Sequence, residues 1–300
     1  MRITQRAVTL TSLQGLNRNL DALGRLQNQL TSGRLVNKPS DSPTATNRAM
    51  QTRAEQASVA QQARNVTDAK SWLEQGSSTL LDMMNMTQRV RDLTVQGLNE
   101  GAVSTTSQQA LATEVASLRE GLLNMANTKV MGRPLFGGVT AGPNAYDPAG
   151  TYIGTAVTPG VTAGTVTRRV SDSELLRVDL SGPEAFGAGA DDLFAVVGGI
   201  ADALRADDHT ALQGQLGKLD DVLKTMQGAV ADIGARASRL ERVEQINADR
   251  KLILQSQLAE TENIDLPETI MNLEMQKTGY EAALAATAKV ISPTLLDYLR

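Results

Sequence analysis

Cysteine is absent from this 300-residue chain. That excludes disulfides, thiolate metal sites and a cysteine nucleophile. A single histidine, His209, removes most acid–base relays and triads and leaves no second imidazole for a metal cluster. Asp207-Asp208-His209 therefore reads as a capped turn. Aromatics make up 3% of the residues, too few for the large compact cores that lean on Phe, Tyr and Trp. The formal net charge of -4 offers no basic excess to displace counterions, so no nucleic-acid partner is expected. No apolar run approaches the ~20 residues of a membrane span, so no membrane partner is expected either. The N-terminus has no apolar stretch of a cleavable secretory signal, so a secreted form would be exported with that end uncleaved. Arg2, Arg6 and Arg18 fit such export or a solvated helix face equally well. Gly160-Val161-Thr162-Ala163-Gly164 lacks the Gly-Lys-Ser/Thr ending of a phosphate loop. With no constellation of nucleophile, base and orienter, neither an enzyme nor a cofactor is expected.

What is present is helical seam. The hydrophobic fraction is 41%, drawn mostly from Leu, Ala, Met and Val, which suit narrow helix–helix interfaces. Leu13, Leu16, Leu20, Leu23, Gln27 and Leu30 alternate steps of three and four, an a/d pattern with one polar member. Gly33 supplies a left-handed helix end. The loop Asn37-Lys38-Pro39-Ser40-Asp41-Ser42-Pro43 follows, and Ser42-Pro43 reads as N-cap and first helical residue. Asp41 fits either an acid facing the next helix dipole or a subunit-contact loop.

No proline occurs from Thr44 to Arg133. The heptad Val66, Ala69, Leu73, Gly76, Leu80, Met83, Thr87, Val90 and Thr94 predicts a helix from Thr44 to about Leu98, with Trp72 in or beside its core. Such a helix would be ~80 Å long, against a radius of gyration of ~19 Å for a compact chain of this size. After a turn, Leu111, Val115, Leu118, Leu122 and Met125 share one stripe. The segment from Gly132 to Gly189 changes character, holding 11 of 25 glycines and 5 of 9 prolines. Tyr152-Ile153, Thr165 to Thr167 and Leu176 to Leu180 read as short strands there, with Arg168-Arg169 a surface pair. Asp191-Asp192 can cap a returning helix. Heptad spacing resumes with Leu219, Leu223, Met226, Val230, Ile233, Ala237 and Leu240. Glu244, Asn247 and Lys251 then occupy seam positions, so the partner there is expected to be lost, thin or polar. A last helix after Pro267 carries Ile270, Leu273, Lys277, Tyr280, Leu284, Thr287 and Ile291. Beyond Pro293, Leu295, Leu296, Tyr298 and Leu299 form an apolar tip that needs a partner.

These residues resemble the flagellin superfamily of bacterial flagellar axial proteins. The likeness rests on Leu26-Gln27-Asn28-Gln29-Leu30-Thr31-Ser32-Gly33-Arg34-Leu35, on the loop from Pro39 to Pro43, on Asn124 to Asn127, on Gly132-Arg133-Pro134-Leu135-Phe136-Gly137-Gly138, and on Tyr280 to Leu284 and Leu295 to Leu299. Ser42 and Asn263 depart from acids usual in the family.

The resemblance implies a mainly α, elongated helical rod with paired N- and C-terminal helices and a small β-rich insert projecting outward. It implies three parts. Residues 1–43 and 261–300 would form a terminal coiled-coil assembly domain, 44–131 and 190–260 a long-helix rod, and 132–189 the insert. Leu13 to Leu30 would pack against Ile270 to Ile291. Assembly contacts would come from Leu13, Leu16, Leu20, Leu23, Leu30, Pro39, Asp41, Pro43, Ile270, Leu273, Tyr280, Leu284, Ile291, Leu295, Leu296 and Leu299. The implied role is a structural adapter joining flagellar hook to filament. It would form a homo-oligomeric ring or helical layer, with a hook-associated protein and flagellin as neighbours and an export chaperone on the last helix. A short filament-forming flagellin is the alternative within the family. A secreted coiled-coil adhesin or translocation-tip protein is the alternative outside it.

Overall fold

In the computed structural model the described residues are 2–99, 104–140, 142–155 and 164–291. They fall into two compact units. One comprises Met1–Ser58 with Arg250–Arg300, the other Val59–Asp249. Among the described residues there are seven helices and four strands of two or three residues each, a mainly α fold.

The second unit holds the core. Helix α2 (Pro43–Gly97) begins where expected, with Ser42 Oγ accepting the Ala45 N–H at 3.3 Å. Helix α6 (His209–Glu262) likewise opens on a cap, Asp208 Oδ1 accepting the Ala211 N–H at 3.0 Å. Both helices contribute residues to both units. Within the second unit they run antiparallel. Lys70 meets Glu244 at 3.5 Å and Arg91 meets Asp220 at 2.7 Å. All nine α2 positions of the heptad from Val66 to Thr94 are buried. Of the α6 seam, Leu219, Leu223, Met226, Ile233 and Leu240 are buried and Val230 and Ala237 half-buried. Thr87 and Thr94 keep the ladder dry by donating to the Met83 and Val90 carbonyls one turn back. Trp72 is buried in the same cluster. Helices α3 (Thr105–Ala126) and α5 (Leu193–Ala206) pack on each other and close this core. Ser104 caps the first and Asp192 the second, its carboxylate accepting the Ala195 N–H at 2.7 Å.

Between α3 and α5 lie two antiparallel hairpins, β1 (Lys129–Val130) with β2 (Arg133–Pro134) and β3 (Thr167–Arg169) with β4 (Leu175–Arg177), and a one-turn helix α4 (Gly182–Phe186). The first hairpin has no counterpart among the expected strands. Its two-residue turn, Met131-Gly132, has φ of 50° and 81°, the double positive φ of a type I′ turn. The expected strand at Tyr152-Ile153 reduces to one bridge, Tyr146 to Tyr152, and leaves Ile153 exposed. The expected strand from Leu176 to Leu180 pairs as far as Val178, whose N–H donates to the Val166 carbonyl at 2.9 Å, and stops where Asp179 is drawn into an ion-pair cluster.

Five of the eight aromatic residues, Phe136, Tyr146, Tyr152, Phe186 and Phe194, pack edge to face in one cluster. The scarce aromatics are thus concentrated where helix seams are missing. Asn127, at the end of α3, holds this region in register. Its side-chain oxygen accepts the Ala145 and Tyr146 N–H groups at 2.8 and 2.9 Å, and its amide donates to the Tyr146 carbonyl.

The insert does not stand clear of the helices, as the resemblance implies. The β3–β4 hairpin and its turn lie on α2 and α6. Gln62 donates to Asp172 at 2.7 Å, Asn65 to the Arg169 carbonyl at 2.8 Å, and Arg168 pairs with Asp68 at 2.6 Å. Asn247 donates to the Val170 carbonyl at 3.0 Å. The polar break in the α6 heptad therefore has a partner, a hairpin backbone that a leucine could not satisfy. Arg168 is a clasp residue, not part of a free surface pair. Behind it, Arg177 bridges buried Asp179 at 2.9 Å and Glu184 at 2.6 Å, and Arg236 donates to the Asp179 carbonyl at 2.7 Å.

Candidate assembly interface

The first unit is built differently. Helix α1 (Arg2–Ser32) ends at Gly33, whose φ of 70° is the left-handed stop expected from the sequence. Helix α7 (Leu266–Ile291) packs on α1. The two are antiparallel: Gln276 donates to Asn19 at 3.2 Å, and nearer the connection Arg34 bridges Asn263.

The faces they turn to each other hold only some of the expected seam residues. On α1 the half-buried stripe is Thr9, Ser12, Leu16, Asn19, Leu23, Leu26 and Leu30. On α7 it is Thr269, Asn272, Leu273, Gln276, Tyr280, Ala283 and Thr287. Both stripes keep heptad steps, but about half of their members are polar. Of the expected seam residues, Leu16, Leu23, Leu30, Leu273 and Tyr280 lie on these inner stripes. Leu13 and Leu20 are instead 47% and 53% exposed, and Ile270 and Leu284 are 49% and 43% exposed. A step of seven fits two neighbouring stripes of one helix. The register is settled by which stripe meets α7, and periodicity alone does not carry that information.

The consequence is a helix pair with a half-polar seam and further apolar residues turned out. Leu10, Leu266, Met271 and Met275 are exposed too. Among the described residues, only Ala49 and Leu254 of the buried apolar residues lie in the first unit. Ion pairs here include Arg53 with buried Glu262 at 2.6 Å and Arg250 with Glu55 at 4.0 Å. Exposed methionines and leucines on both helices are candidates for burial against a partner.

The loop after α1 is pinned. Asp41 Oδ2 accepts the Asn37 and Lys38 N–H groups at 3.2 and 2.8 Å, so its carboxylate closes the loop and Ser42 caps α2. Asn37 donates to the Asn28 and Arg34 carbonyls, and Leu35 N–H donates to the Glu262 carbonyl at 2.6 Å. Pro39, Asp41 and Pro43 are exposed on this rigid loop. The side chain of Ile291, and Leu295, Leu296 and Leu299 altogether, lie outside the described residues.

Nothing comparable points to chemistry. Among the described residues no group of three or more His, Cys, Asp or Glu could hold a metal, and no helix is long and apolar enough to cross a membrane. Asp207 sits in the left-handed position that ends α5 and accepts from Gln108 at 2.9 Å, and His209 opens α6.

The family model for the bacterial flagellin N-terminal helical region matches residues 3–141. Flagellar hook-associated protein 3 of Escherichia coli is 25% identical over 95% of this chain and 96% of its own length. Its namesake from Salmonella typhimurium is 24% identical over 94% and 95%. The crystal structure of Bacillus cereus FlgL superposes with a TM-score of 0.59 at 22% identity, over 70% of this chain and 99% of that one, and so shares the fold. The chain is similar to flagellar hook-associated protein 3 over nearly its whole length, and its residues 3–141 match the N-terminal helical region of bacterial flagellins.

Proposed function

We propose that the chain is a structural adapter of the bacterial flagellum, joining hook to filament, and that it assembles through its terminal unit. The observation that supports this most is the half-polar seam of the α1–α7 pair and the apolar residues left outside it. Polar and apolar side chains share the seam between the two helices, while Leu13, Leu20, Ile270 and Leu284 face outward. Ordering each residue costs ~1–2 kcal/mol, and a half-polar seam returns little of it. Burying a half-exposed leucine against a neighbouring subunit returns about 1 kcal/mol more. Assembly therefore supplies what the isolated pair lacks.

In this reading residues 1–43 and 261–300 are the assembly part, 44–131 and 190–260 the rod and 132–189 the insert. The partners are further copies in a ring or helical layer, another hook-associated protein and flagellin. An export chaperone covers the last helix before secretion. The protein works by contact and not by catalysis. Deleting its gene should leave hooks without filaments and release filament protein into the medium. Normal attached filaments in the deletion strain would refute the junction role.

A further inference from the structure

The pinned loop shapes a groove of about 870 Å³ against the end of α1. Its lining is mixed: Leu35, Val36 and Ala45 are apolar, Arg25, Lys38 and Asp41 are charged, and the rest are polar. Leu35 is exposed although its backbone is held on both sides, by Glu262 through its N–H and by Gln29 through its carbonyl. It is thus an apolar side chain presented by a fixed scaffold. Asp41 is the acid of this wall, and its Oδ2 is occupied by the loop's own N–H groups. Arg25 and Lys38 pair with no acid among the described residues. Its few apolar residues and its two cations suit a segment that carries both leucines and an acid.

We propose that this groove takes the segment Leu295-Leu296-Asp297-Tyr298-Leu299 of a second copy of the chain. The inference rests on the assembly reading above and names one contact within it. The segment has the matching chemistry: three leucines and a tyrosine around one carboxylate. Geometry makes the contact intermolecular. Ile264, just before α7, donates to the Gly33 carbonyl, so α7 begins beside the groove. It then runs 26 residues away, or ~39 Å at ~1.5 Å per residue. The eight residues from Ser292 to Leu299 span at most ~28 Å fully extended. They cannot return to their own groove. Docking into a neighbour's groove offsets copies by about the length of α1, which makes contacts head to tail in addition to the sideways contacts of the outward leucines.

The cysteine-free background permits a direct test on the full chain. Ser40→Cys and Thr294→Cys are made singly and together, association is followed by sedimentation, and disulfides are mapped by mass spectrometry. The expected result is a 40–294 linkage in the mixture of single variants. In the double variant the same linkage should join different molecules and never close within one. Leu35→Asp should lower its yield at least about fivefold. Arg25→Glu and Asp297→Lys should each lower it roughly two- to fivefold, and the two together should recover it. Linkage within one chain, or association without any 40–294 linkage, would overturn the docking while leaving assembly intact. A chain that does not associate under any condition would overturn the assembly reading and this inference with it.

Discussion

Replacing Asn247 by leucine separates two accounts of the long helices by the sign of the effect. Heptad logic alone treats Asn247 as a polar interruption of the α6 seam, so leucine should stabilise. The structure gives the opposite expectation. Asn247 is 4% exposed and donates to the Val170 carbonyl at 3.0 Å. Val170 is itself fully buried. Removing the donor strands a buried carbonyl, at about 1–3 kcal/mol, and leucine adds crowding where the hairpin backbone already touches the helix. Added apolar burial offsets part of this, which leaves a net loss of about 1–2 kcal/mol. Urea denaturation of the full chain, followed by circular dichroism at 222 nm, reads it as a lower midpoint with unchanged slope. Asn247→Ala, which adds no bulk, should fall by a similar amount. A midpoint unchanged or raised by Asn247→Leu would refute the claim that the hairpin is the partner of this stretch.

Three further outcomes follow from the same packing. Leu80 and Leu20 both lie at heptad positions, yet one is buried and the other half-exposed. Leu80→Ala should cost about 2–5 kcal/mol and Leu20→Ala less than about 0.5 kcal/mol in thermal unfolding of the unassembled chain; equal losses would contradict the outward register. Gly76 is interior to α2, and a Cβ there would meet Ile233 Cδ1 at an ordinary 3.6 Å, so Gly76→Ala should stabilise by about 0.5–1 kcal/mol in the same assay. Burial pushes the Glu184 carboxyl up, but the Arg177 bonds and the Ser181 donors outweigh it and bring it down to about 2. A carboxylate held below its unfolded value stabilises above about pH 4.3 and loses that contribution as pH falls toward 2. Acid titration of Glu184→Gln should therefore show a shallower stability loss over that window than the parent.

Much of this fold is legible in the residues themselves, for stated physical reasons. Gly33, Ser42-Pro43 and Asp192 mark helix ends through local chemistry, and each sits where that chemistry requires. The α2 seam from Val66 to Thr94 is readable because its partners bury one stripe over several consecutive turns. The hairpin Lys129–Pro134 escapes notice because Met131 replaces the Asn, Asp or Gly that signals a type I′ turn. The clasp on Asn247 escapes because its partner is a backbone carbonyl 77 positions away. At the candidate interface the apolar residues are readable but their direction is not. Leu13 and Leu20 share a period with Leu16 and Leu23, and only the fit of α7 against α1 separates the stripes.

The outward-facing leucines carry the account, and sedimentation velocity of the full chain tests them most directly. The parent should form concentration-dependent oligomers. Leu20→Asp combined with Leu284→Asp should remain monomeric with undiminished helical signal. Oligomers of the same size and onset from the double variant would contradict the claim that these helices are built to be buried by other subunits.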